Sequence, residues 1–204
     1  MYWQNYLYDK PVNFYAQGDL DVLKKQHSKV AIVGTRYMTK YAQNCLNLIV
    51  PELVRNNIVI VSGGALGVDI EAQKIAFALG GKTITVLGSG LKVPTPKTNI
   101  SYFTKFIKQG VLVSEFPPDM PAFKYTFVQR NRIISAIADV VLVVEASEKS
   151  GALITADFAL EQGKYVCAIP GPIFAEKSAG TNMIIRAGAD LISRPEQILY
   201  YFNL

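Results

Sequence analysis

The sequence of 204 residues holds one histidine, one tryptophan and two cysteines. With His27 as the only imidazole, a Ser–His relay, a Cys–His pair and a histidine-bearing zinc site are all excluded. Cys45 and Cys167 each lie inside an apolar run. They cannot form a disulfide framework or a zinc cluster, and they read as buried thiols in a reducing compartment. Charged residues make up only 18% while half the chain is hydrophobic, which excludes intrinsic disorder. No apolar run approaches the roughly 18 residues that span a membrane, and the polar start at Met1–Asn5 is no signal peptide. The expectation is a soluble cytoplasmic protein, with no membrane partner and a core that needs no covalent staples.

Acids are also missing regionally. None lies between Asp21 and Glu52, where Lys24, Lys25, Lys29, Arg36 and Lys40 stand, nor between Glu71 and Glu115, which hold six lysines. Between Asp119 and Asp139 lie Lys124, Arg130 and Arg132. The stretch from Asp139 to Glu161 is acidic, relieved only by Lys149. A net charge of +5 spread this way is either a solvated lysine surface or a one-sided footprint for a polyanion.

Six short β-branched runs recur, at Val30–Val33, Ile58–Val61, Thr83–Leu87, Val111–Ser114, Val140–Val144 and Tyr165–Ile169. Each is almost continuously apolar, as strands covered on both faces are. Between them the spacing predicts helices over Thr39–Asn56, Leu66–Leu79, Asn99–Gln109, Phe127–Ala138 and Ala152–Gln162, with a kink or break at Pro51. Ala189–Ile192 suggests an edge strand and Pro195–Phe202 a terminal helix. The fold class is α/β: an extended Rossmann-like, doubly wound, mostly parallel sheet with helices on both faces. Residues 1–28 form an aromatic lead-in packed on the core, and residues 29–204 a single Rossmann-like domain.

In such a sheet ligands bind beyond the carboxyl ends of the strands. Small residues gather there: Gly34-Thr35-Arg36, Ser62-Gly63-Gly64, Gly88-Ser89-Gly90, Ser150-Gly151 and Pro170-Gly171. One glycine turn is ordinary turn geometry, whereas several on one edge let a ligand approach the backbone. The dinucleotide fingerprint fails, because Ser62 stands at its first glycine and no carboxylate ends the next strand. Gly81-Lys82-Thr83 is no Walker loop, because its lysine enters a strand instead of a helix. Among the carboxylates, Asp69 suits a structural place in a first helical turn, while Glu115 and Glu145 are expected to pair with Arg130 or Arg132. No catalytic group, cofactor or metal is implied.

Taken in order, eight pieces resemble the DprA/Smf family of bacterial DNA-processing proteins. They are Gly34–Arg36, Ser62–Asp69, Val86–Leu91, Ser114–Pro118, Arg130–Ile134, Ser150–Ala156, Ala159–Gly163 and Pro170-Gly171. Gln73, Thr95 and Val128 depart from the residues usual in the family. Members often add a small helical domain before the core and a winged-helix-like one after it, for which this length has no room. The resemblance implies single-stranded DNA binding, dimerisation and loading of the RecA recombinase in natural transformation.

On that resemblance Arg36 is the main phosphate anchor, with Lys124 and Phe127 as partners. The wider expected site is Gly34, Thr35, Ser62, Gly63, Gly64, Arg130, Asn131, Arg132, Lys149, Ser150 and Gly151. Cations would neutralise phosphates, backbone N–H groups would add uncharged anion contacts, and the Phe127 ring would stack an unpaired base. Arg130 and Arg132, two apart on a helix, point in different directions, so they are not expected to share the cleft. Apolar residues at Ile184–Ile185 and Ile198–Phe202 suit either a dimer face or the core. The rival reading is a nucleotide-binding phosphoribohydrolase of similar fold, whose Pro-Gly-Gly-x-Gly-Thr-x-x-Glu motif is broken here at Pro172.

Overall fold

The computed structural model describes residues 1–204. Its strands are β1 (Tyr15–Gly18), β2 (Lys29–Val33), β3 (Val59–Ser62), β4 (Thr83–Val86), β5 (Val111–Ser114), β6 (Val140–Val143), β7 (Tyr165–Ala168) and β8 (Asp190–Leu191). They form one sheet in the order β1-β5-β4-β3-β2-β6-β7-β8. Only the β1–β5 pairing is antiparallel; every other neighbour is parallel, as between Val30 and Val140. The chain winds outward from β2 through β3, β4 and β5, then returns to lay β6, β7 and β8 on the other side. The order reverses between β2 and β6, and the loops leaving these two strands bound the crevice.

The helices are α1 (Lys40–Arg55), α2 (Val68–Ala78), α3 (Ile100–Phe106), α4 (Lys124–Ile137), α5 (Gly151–Glu161), α6 (Glu176–Arg186) and α7 (Glu196–Leu199). Alternation along the strands sorts them into two layers. Ala31, Val33, Val141 and Val143 meet α4 and α5 through Ile133, Ile134, Leu153 and Ala156. Val30, Ile32, Val140 and Leu142 meet α1 and α2 through Leu46, Leu53, Val68 and Ala72. Each predicted strand is present to within a residue or so at its ends, because fully buried β-branched runs carry a strong signal.

Five elements differ from the sequence expectations, the first being α3, which ends at Phe106, short of Gln109. Pro51 does not end α1, which runs through it to Arg55. Helix α4 begins three residues early, because Thr126 closes a capping box with the backbone of Phe123. The unexpected helix α6 lacks a strong apolar stripe, and Gly180 within it lets the helix pack close to the backbone of Ser147. The unexpected strand β1 is short, largely exposed and paired with a segment far along the chain. Of the apolar residues considered for a dimer face, Ile198 and Leu199 are buried in the core, and Ile184 and Ile185 pack against it.

The lead-in shares the core of the sheet. Trp3 is fully buried, with its ring centroid 5.0 Å from that of Phe14. The Tyr2 hydroxyl reaches the carbonyl of Ile137 on α4. Lys29, also fully buried, donates from its ammonium to the carbonyls of Lys24 and His27 and lies 5.3 Å from the Tyr2 ring centroid. Burial pushes its pKa down to about 8. Because Trp3 is enclosed, Trp3→Ala is expected to cost about 3–5 kcal/mol, read as a shift of the urea unfolding midpoint. An unchanged midpoint would mean that the lead-in adds nothing to the core.

Candidate nucleic-acid interface

Beyond the carboxyl end of β2 the chain turns through Gly34, Thr35 and Arg36, held from both sides. Thr35 donates its N–H to the carbonyl of Glu145 at 2.8 Å and accepts from the Val68 N–H at 3.2 Å. The Glu145 carboxylate accepts from the backbone and hydroxyl of Thr39, which caps α1. The expected pairing of Glu145 with an arginine is therefore corrected: it clamps the β2 turn across the crevice. A side chain at Gly34 would collide with Val68, and one at Gly67, with φ of 77°, with the backbone of Thr35 and Arg36. Backbones abut here as only glycine allows.

Arg36 stands exposed on this braced turn, its guanidinium carbon 5.2 Å from the ring centroid of Phe127. This is cation–π distance. With Gly63, Ala65, Leu66, Thr95 and Pro96 the pair lines a cavity of about 80 Å³. Lys124 is exposed at the first residue of α4, and Lys149 is exposed in the loop between β6 and α5. Ser150 caps α5, accepting from the Ala152 N–H, and Gly151 has open space where a side chain would stand. Asn131 donates to the Gly151 carbonyl at 3.2 Å, which ties α4 to the start of α5.

The remaining expected residues face inward. Arg130 is only 4% exposed; its guanidinium bonds the carbonyls of Gly63, at 2.6 Å, and Val86. Burial lowers its pKa to about 10, partly offset by the nearby Asp69 carboxylate. Asp69 accepts the Gly63 N–H at 3.0 Å; burial raises its pKa, while Arg130 and that hydrogen bond pull it back. Arg132 is 8% exposed and bonds the buried Glu115 carboxylate. Ser62 donates to the Ile32 carbonyl, and the Gly64 carbonyl accepts from Asn99. Two expectations change accordingly. Arg130 and Arg132 are internal cations, not cleft-lining ones, and the Gly63 N–H is engaged by Asp69 instead of facing an anion.

Sequence reasoning missed the Asp69–Gly63–Arg130 arrangement, the Glu145 clamp and the places of Ala65, Leu66 and Pro96 around the cavity. The closeness of Asp69 to the glycine turn was the one signal for the first. Residue type says nothing about which arginine a helix turns inward. Arg132→Ala would leave Glu115 buried and unpaired, an expected loss of about 3–5 kcal/mol in urea unfolding. Adding Glu115→Gln should recover part of that loss, and no recovery would count against the pairing.

Comparison with known proteins places this geometry. Residues 2–203 match the family model described as DNA recombination-mediator protein A. The chain is 39% identical over 197 residues to the DNA processing protein DprA of Bacillus subtilis, covering 97% of this chain and 66% of that protein. It is 42% identical over 193 residues to protein Smf of Escherichia coli, covering 94% and 51%. It thus spans about half to two thirds of these relatives. The X-ray structure of DprA from Streptococcus pneumoniae superposes with a TM-score of 0.92 at 37% identity, over 98% of this chain and 69% of that one. A structure of DprA from Helicobacter pylori, described for its single-stranded DNA binding mode, gives 0.90 at 33%, over 98% and 91%. A molybdenum cofactor binding protein from Rippkaea orientalis shares the fold alone, at a TM-score of 0.62 and 15% identity over 88% of this chain and 98% of that one. The chain belongs to the DNA recombination-mediator protein A family.

Proposed function

We propose that this chain binds single-stranded DNA along the carboxyl edge of its sheet and, as a non-catalytic mediator in the cytoplasm, delivers it to the RecA recombinase in natural transformation. The observation that carries the reading is the exposed Arg36 set over the half-buried Phe127 ring, beside a cavity with Gly63 in its wall beyond the carboxyl ends of β2 and β3. It sets a phosphate partner beside a ring that can receive an unstacked base. Lys124 and Lys149 extend the positive surface on either side, and Ser150 and Gly151 offer a helix start for a further phosphate. The membership of the chain in this family and the single-stranded DNA described for the Helicobacter pylori relative support the reading. A homodimer would bring two such edges to one strand and raise avidity.

Such a site grips backbone and base faces without reading sequence, so it favours single strands and weakens steeply with salt. The test is fluorescence anisotropy with labelled oligo-dT, duplex and a mononucleotide at several salt concentrations. Arg36→Ala should weaken oligo-dT binding and reduce the slope of log K against log salt by about 0.7, one phosphate contact. Phe127→Ala should weaken binding with little change of slope. Tight mononucleotide binding without oligo-dT binding would overturn the DNA reading in favour of a nucleotide-binding enzyme. An unchanged Arg36→Ala affinity would overturn the assignment of the anchor.

A further inference from the structure

Phe123 and Tyr125 flank Lys124 at the start of α4, and both are about half exposed, at 47% and 57%. Their rings lie nearly parallel, with 9° between the planes and centroids 5.7 Å apart. Residues two apart within a helix do not face each other. The pairing is possible because Phe123 precedes the helix in extended backbone, with φ of −123° and ψ of 166°. That cap is fixed: the Phe123 N–H donates to the Thr126 hydroxyl at 2.9 Å, and this hydroxyl donates to the Gly88 carbonyl at 2.6 Å. Gly88 also backs the Phe127 ring, which a side chain there would approach to 2.8 Å. One small turn therefore holds both aromatic sets.

A single exposed ring needs no explanation, but a preformed parallel pair beside a free lysine is a platform whose outer faces lie in water. Residues 120–138 contain no acid, so the surface around the pair suits a polyanion better than a basic partner. Phe123 precedes Phe127 by four residues, so the pair opens the helix that carries the Phe127 ring. We propose that Phe123 and Tyr125 form a second base-stacking station, taking a base further along a single strand whose neighbouring base lies on Phe127, with Lys124 neutralising a phosphate between them. This rests on the single-stranded DNA reading, which it extends from one ring to a track.

The double variant Phe123→Ala/Tyr125→Ala tests it in the full chain. Because both side chains are exposed, its thermal unfolding should match the wild type. Oligo-dT affinity should fall about tenfold, as expected for one lost stacked base, with the salt slope unchanged. Affinity for an abasic strand of the same length should not change. Phe123→Trp should keep the affinity, and its fluorescence should fall as oligo-dT binds; Trp3, the one native tryptophan, is buried and gives a constant background. Equal oligo-dT affinity in the double variant and the wild type would overturn the station and turn the rings toward a protein partner. A similar loss on the abasic strand would overturn it as well. Wild-type protein that fails to bind oligo-dT would instead overturn the underlying reading.

Discussion

Arg130 reaches from α4 beneath the glycine turn after β3 and bonds the carbonyls of Gly63 and Val86, 67 and 44 residues away in sequence. A buried guanidinium without acceptors would be very costly, so these carbonyls must stay where the side chain can reach them. Asp69 completes the unit by taking the Gly63 N–H and offsetting part of the charge. Three segments, the turn after β3, the end of β4 and the first half of α4, are thereby fixed to one another. Phe127 lies three residues before Arg130 on the same helix, and the position of its ring follows from that anchor. The surface site is as rigid as the ion beneath it.

The arginines thus divide by environment. Arg130 and Arg132 are enclosed and bonded within the protein, through backbone carbonyls in one case and a carboxylate in the other, although Nη1 of Arg132 has no hydrogen-bond partner. Arg36 is exposed and rests on an aromatic face, where its donors remain directed at solvent. The enclosed Arg130 supports the floor of the cavity while the exposed Arg36 stands on its rim. The Glu145 clamp makes the rim side equally firm by fixing the turn that carries Arg36 across the reversal of strand order.

Much of this architecture is legible in the chain. Continuous β-branched runs mark buried parallel strands, and the small residues after them mark the edge where a ligand can approach. Strand β1 escapes because four largely exposed residues without alternation carry no periodic signal, and their pairing depends on β5. Helix α6 escapes because it lacks a marked apolar stripe. At the candidate site, family resemblance singled out Arg36, Lys124 and Phe127, and the structure leaves Arg36 and Lys124 exposed with the Phe127 ring half-buried against Arg36. The inward turn of Arg130 and Arg132 was not, since it depends on acceptors brought from distant segments. Glu145 misled for the same reason: its partner, Thr39, lies on a neighbouring loop that folding alone brings near.

The antiparallel pairing of β1 with β5 orders the assembly of the molecule in time. Residues 15–18 leave the ribosome well before their partners, residues 111–114. The contact from Tyr2 to Ile137 waits longer still. During synthesis the parallel units around β2, β3 and β4 can pair while the amino-terminal segment has no place to dock. Strand β1 is thus left unpaired until β5 has been made, and its closing depends on contacts far apart in sequence, the kind that slows folding most.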